Sequence, residues 1–292
     1  MNEEKKNELY NYILYQLVEM TENVRSKYLY NMDLRNDNPF LLFAREKEKY
    51  MALGRSIDSQ LGNRLQNIIF YIARIKYGYN NVPALLFLDV NGNLVKMTKC
   101  YAESVDTEYY YSNTNPCKQY IIKSELYETE KLRKALNIKK GFENIIRTET
   151  IEYTNVGDDI ITTITAAKQK TPVDLLVFEN DIALTFEIKM SGNLDTKNAK
   201  ANAEEVEYLK KLLSFVSQGN QSYFATCYAN CSDAVNTAMA GINGQGIILN
   251  SGDFWQTILP TGNDALTYEE FIEIYQHAFR EANIEGELDT LQ

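Results

Sequence analysis

The chain has 292 residues, 45% of them apolar, and a formal net charge of −10, a length that suits one large domain or two small ones. Its single histidine excludes multi-histidine metal sites, paired-histidine phosphodiesterases and HNH-type nuclease centres. A Ser-His-Asp arrangement would need His277 and ATP hydrolysis a phosphate loop, yet neither G-x-S-x-G nor G-x-x-x-x-G-K-[ST] is present.

No apolar run approaches the roughly 18 residues of a membrane span. Met-Asn-Glu-Glu-Lys-Lys leads into no signal-like apolar core, so a cytoplasmic protein is expected. There Cys100, Cys117, Cys227 and Cys231 are expected as free thiols. A zinc site built from Cys227-xxx-Cys231 with Cys100 and Cys117 is the alternative.

In chain order, Lys5 to Tyr30 reads as a helix, with Tyr10, Ile13, Leu14, Leu17, Val18 and Val24 at helical spacing. Asn31 to Pro39 is a polar break. Leu41 to Met51 predicts a second helix, which Gly54 breaks and Ser56 restarts. The restarted helix carries Ile57, Leu61, Leu65, Ile68, Ile69 and Ile72 as its apolar stripe. Ala84 to Asp89 and Leu94 to Thr98 read as a hairpin about Asn91-Gly92. Tyr101 to Asn115 is irregular, Ser124 to Asn137 helical, and Asn144 to Ala167 strand-like through Ile160 to Thr165. Thr171 to Phe178 and Ala183 to Lys189 are two apolar runs about the turn triplet Glu179-Asn180-Asp181. A helix runs to about Ser217, strands follow at Ser222–Tyr228 and Gly246–Leu249, and a brief helix starts at Ser251. The last helix, Thr267 to Ala282, opens with a capping box of Thr267 and Glu270. No repeat or linker appears, so one mixed α/β domain over 1–292 is expected. It has a helical extension at 1–40, a core at 54–250 and an acidic helical segment at 251–292.

The charge is unevenly spread. From Asp253 onward nine acids face one base, Arg280. Between Phe40 and Gly78 seven bases face three acids, and between Lys118 and Arg147 eight face four. A nucleic-acid binder needs a local basic surface, not a basic average. Solvated helix faces are the ordinary reading of such stretches.

The chemistry concentrates in the two apolar runs. Residues i and i+2 of a strand share a face, so Glu187 and Lys189 point together. Pairing as a hairpin can bring Asp174 beside Glu187. Two carboxylates and an ammonium then meet at a sheet end. Phosphodiester hydrolysis needs an activated water and compensation of transition-state charge, and one or two Mg²⁺ ions supply both. Mg²⁺ takes oxygen ligands, commonly one or two carboxylates. Asp174 and Glu187 fit, the Ile188 backbone carbonyl can add a ligand, and Lys189 can orient water or neutralise charge.

Pro172-Val173-Asp174 with Phe186-Glu187-Ile188-Lys189 resembles the PD-(D/E)xK nuclease signature, with Val173 inserted between proline and acid. Gly54 to Gln66 resembles the helix before the catalytic sheet of several type II restriction endonucleases. Gly192-Asn193-Leu194-Asp195-Thr196-Lys197-Asn198-Ala199 resembles the run after their catalytic lysine. Gly252 to Trp255 with Leu266 to Phe271 resembles a C-terminal pattern of the TdeIII-type group. The resemblance implies an α/β fold with a PD-(D/E)xK restriction-endonuclease-like core: a central mixed β-sheet flanked by helices, with added N-terminal and C-terminal helices. It implies Asp174, Glu187 and Lys189 as catalytic, Asp58 as a lesser metal-ligand candidate, and Mg²⁺ as cofactor. Arg55, Gln60, Arg64, Lys197, Asn198 and Lys200 become candidates for DNA contact. The implied enzyme is a homodimer cutting double-stranded DNA at a palindromic site, with a cognate DNA methyltransferase as functional partner. Base reading is expected from Tyr101 to Lys123 and Ala229 to Gln245. A repair or junction-cleaving nuclease of the same superfamily, and a non-catalytic DNA-binding protein, are the alternatives.

Overall fold

A computed structural model describes residues 1–35, 45–83, 85–88, 93–102, 108–109, 119–122, 146–155, 170–180, 182–213, 219–242 and 247–289. The helix expected at Ser124–Asn137, the alternation at Ile160–Thr165 and most of Tyr101–Lys123 lie outside them. In chain order the elements are α1 (Glu3–Arg35), α2 (Arg45–Tyr77), β1 (Leu85–Leu88), β2 (Asn93–Ala102), β3 (Glu108–Tyr109), β4 (Gln119–Ile122), β5 (Ile146–Asn155), β6 (Lys170–Val173), β7 (Leu175–Glu179), β8 (Ile182–Lys189), α3 (Thr196–Leu212), β9 (Asn220–Thr226), α4 (Asp233–Ala240), β10 (Ile247–Leu249), α5 (Ser251–Ile258), α6 (Tyr268–Glu281) and α7 (Ile284–Asp289). Among the described residues no helix is long and apolar enough to cross a membrane.

The chain divides into two compact units. A helical unit joins Met1–Ile69 to Pro260–Gln292, and a sheet unit spans Phe70–Leu259. The helical unit forms because the two ends of the chain bury apolar stripes on each other. Leu9, Ile13, Leu17, Met20 and Val24 recur three or four residues apart on α1 and are buried. Phe271 and Ala278 of α6, with Ile284 and Leu288 of α7, are their buried counterparts. Val18, expected in the α1 stripe, is 41% exposed instead, and Met20 takes that role. Lys5 pairs with Asp264 and Lys6 with Glu270, at 2.6 and 2.8 Å. The Thr267–Glu270 capping box opens α6 as expected.

The helix α2 runs unbroken through Gly54, where a stop and restart were expected. Glycine in a helix interior costs about 1 kcal/mol. Ala52, Leu53 and Ser56 are buried on either side of Gly54, and that burial carries the helix across.

The sheet unit holds two sheets. The first has the order β3-β2-β1-β4-β6, with β5 also paired to β2. The expected hairpin appears here, with Leu85 opposite Met97 and Leu88 opposite Leu94. The second sheet, β10-β9-β8-β7, is mixed and flanked by helices. Its β7 and β8 form the expected antiparallel hairpin, while β8, β9 and β10 run parallel. Asn180 takes the left-handed conformation of the tight turn, with φ 49°.

Strand β8 is the centre of this sheet. Ala183 to Ile188 are all buried, the continuous pattern of a strand covered on both faces. Helix α3 returns the chain to β9. Its Ala199, Ala203 and Val206 pack with Phe224, Val235 and Met239. Its Leu209, Leu212 and Leu213 pack with Val173, Leu176 and Phe178.

Candidate active site

The β7–β8 register creates the site. Leu175 stands opposite Phe186, so Asp174, one step ahead of β7, falls opposite Glu187. Directly opposed residues of an antiparallel pair share a face. The Asp174 carboxylate accepts the Ile188 backbone N–H at 3.0 Å. In a strand the N–H and C=O of one residue point to the same side. The Ile188 carbonyl is therefore directed to the edge that carries Asp174. Lys189 donates its ammonium to Glu187 Oε1 at 2.5 Å. The three residues expected to converge do so within the sheet unit.

The electrostatics are those of a site with too much negative charge. Burial pushes the Glu187 carboxyl up to about 7, and the like charge of Asp174 adds to this against the lowering effect of Lys189. Burial alone would lower Lys189, but Glu187, Asp174 and Glu205 raise it above its ordinary value. Lys189 is thus a firm ammonium rather than a free amine. Glu205, on α3, acts on both groups and was not among the residues singled out above.

Two oxygen-rich side chains with a carbonyl at the same edge fit a hard divalent cation. Cation and proton then compete for Glu187. Divalent affinity should rise across pH 6 to 8 as that proton leaves, which calorimetry in buffers of different ionisation enthalpy would read as proton release. Without metal the sign reverses for stability. A raised carboxyl favours the fold below its ordinary range and loses that advantage as pH rises through about 7. In chelator, wild type should therefore lose thermal stability relative to Glu187→Gln between pH 5 and 8. Parallel pH curves would contradict this assignment.

After Lys189 the chain turns through Met190–Asp195 into α3. Gly192 is buried, and a Cβ there would come within 2.5 Å of Cys231 Cα and 2.6 Å of Asn230 O. Its carbonyl accepts the Ser232 N–H at 2.9 Å. Gly192→Ala must shift backbone and should cost about 1–3 kcal/mol in a denaturant titration. An unchanged midpoint would mean the loop yields freely. Asp195 caps α3, accepting Asn198 N and Nδ2 at 2.9 and 2.8 Å. Lys197, Asn198 and Lys200 are exposed on its first turns.

The candidates on α2 divide differently. Asp58 and Arg55 are exposed and belong to the helical unit, whereas the carboxylate pair is made entirely within the sheet unit. Gln60 and Arg64, expected at a DNA surface, are 2% and 4% exposed. Arg64 donates to Gln16 and faces Glu19 at 3.7 Å, so its side chain serves the α1–α2 packing.

Cys227 is buried and its thiol is pushed up to about 12, by burial and then by Asp174. Cys231 is half-buried, and both are free. Cys117 lies outside the described residues. Among the described residues no group of three or more His, Cys, Asp or Glu could hold a metal ion. The Asp174–Glu187 centre is therefore a pair of carboxylates, not a closed cage.

Comparison with known proteins adds no relative: no family model, curated protein or solved structure matches the chain.

Proposed function

We propose that the chain is a Mg²⁺-dependent DNA endonuclease with a PD-(D/E)xK core, and within that class a type II restriction enzyme. The observation that carries the reading is the placement of Asp174 opposite Glu187, with Lys189 bonded to Glu187 on the same strand. Asp174, Glu187 and the Ile188 carbonyl would hold the cation. When bound, Mg²⁺ lowers the pKa of a bound water and offsets charge on the reacting phosphate.

The chain's own residues supply the rest. Asp174 keeps its position through the Ile188 N–H. Glu187, whose buried carboxyl is raised to about 7, would have to give up its proton to serve as a cation ligand. Lys189 stays cationic, which suits it to compensate phosphate charge rather than to accept a proton. The start of α3 offers Lys197, Asn198 and Lys200 with the positive end of a helix dipole, a setting that favours a backbone phosphate. A homodimer would match the two-fold symmetry of a palindromic site.

Incubation with mixed-sequence plasmid and Mg²⁺ tests the proposal. Discrete, reproducible bands support a restriction enzyme. A smear indicates a non-specific or structure-selective nuclease of the same chemistry. Intact plasmid with persistent binding points to a non-catalytic DNA-binding protein.

A further inference from the structure

Where α6 meets α7 the protein holds a cavity of about 400 Å³ that the proposed cleavage does not use. All of its lining residues belong to the helical unit. The corner is built by a few residues. Helix α6 ends at Glu281 and α7 starts at Ile284. Between them Asn283 takes the left-handed conformation, with φ 47°, which asparagine tolerates better than most residues. Gly286 leaves room for the Asn283 amide, since a Cβ there would come within 2.7 Å of it. Ile284, 3% exposed, anchors the start of α7 in the core.

One wall of the cavity is aromatic. Phe271, Tyr275 and Phe279 stand four residues apart on α6 and share a face. Phe271 is buried, while Tyr275 and Phe279 are half-buried and line the cavity. The Tyr275 and Phe279 rings lie 6.4 Å apart at 29°. Burial pushes the Tyr275 phenol up to about 12, yet its hydroxyl makes no hydrogen bond among the described residues. A phenol withdrawn from water usually has a partner.

The lining also carries two opposite charges, Arg280 and Glu285. Arg280 is the one base among nine acids from Asp253 onward. Among the described residues it nevertheless has no ion pair, and neither does Glu285. The acids near Arg280 in sequence are engaged elsewhere: Glu281 accepts the Tyr10 hydroxyl, and Glu287 faces Arg25 at 3.8 Å. An uncommitted cation and an uncommitted anion on one half-apolar cavity suit a ligand that carries both charges beside an apolar body. The volume falls within the usual range of small-molecule sites, roughly 300–1,000 Å³.

We propose that the α6–α7 cavity binds a free α-amino acid with an aromatic side chain. The Arg280 fork would take the carboxylate, Glu285 the ammonium, and the Tyr275 and Phe279 rings the aromatic side chain.

Calorimetric titration of the full chain with L-phenylalanine, 3-phenylpropionate and phenethylamine tests this. The second probe lacks the ammonium and the third lacks the carboxylate. Wild type should bind phenylalanine saturably at one site, and each truncated probe about tenfold more weakly, a modest loss for a charge-assisted contact at a wet rim. Arg280→Gln should weaken phenylalanine about tenfold and leave phenethylamine unchanged, whereas Glu285→Gln should weaken phenylalanine equally and leave 3-phenylpropionate unchanged. Both side chains are exposed, so neither substitution disturbs the core. Absence of saturable phenylalanine binding, or wild-type affinity for it in either variant, would overturn the assignment.

Discussion

Alanine at Glu187 or at Lys189 is expected to reduce Mg²⁺-dependent plasmid cleavage about a thousandfold or more while DNA binding persists. The size follows from the chemistry. Cation and ammonium together contribute several kcal/mol to a charged phosphoryl transition state, and each 1.36 kcal/mol is a factor of ten. The two variants should fail differently. Glu187→Ala removes a carboxylate from the cation pair, so divalent affinity falls. Lys189→Ala leaves both carboxylates, and removing a nearby positive charge should raise divalent affinity while turnover collapses. Retained DNA binding is expected because Lys197, Asn198 and Lys200 lie elsewhere, on α3. Cleavage at the wild-type rate by either variant would end the assignment.

Loss of Gln119 should severely damage the fold that holds this site. Gln119 is 1% exposed. Its Nε2 donates to the carbonyls of Pro83 and Leu176, and its Oε1 accepts the Leu176 N–H, all at 2.6 Å. It stands opposite Val173 in the β4–β6 pair, so one side chain links the first sheet to the start of β7. Gln119→Ala strands three buried backbone groups, each worth about 1–3 kcal/mol when unpaired. A total of about 3–5 kcal/mol is expected, since such losses are not fully additive. The midpoint of urea unfolding should drop accordingly. The residual folded protein should also bind divalent cation more weakly, because Asp174 lies next to the loosened junction. A loss below about 1 kcal/mol would show that water readily replaces the amide.

The features legible in the sequence are local. The β7–β8 hairpin is written in two apolar runs about Glu179-Asn180-Asp181, and the strand period alone puts Glu187 and Lys189 on one face. The α6 capping box is similarly short-range. What escaped depends on distant partners. Gln119 and Leu176 are 57 residues apart, and nothing near either announces the contact. Arg64 reads as a surface cation on an amphipathic helix, yet Gln16 and Glu19 of α1 draw it inside. The helix break at Gly54 fails because tertiary burial outweighs a local cost of about 1 kcal/mol. The union of the two chain ends in one unit has no local signal either.

The central claim is that Asp174 and Glu187 share one divalent cation. Electron paramagnetic resonance with Mn²⁺ measures this directly in wild type, Asp174→Asn, Glu187→Gln and the double variant. Saturable binding is expected in wild type, at least tenfold weakening in each single variant, and no saturable binding in the double variant. Binding that survives in the double variant, or is absent from wild type, would contradict it.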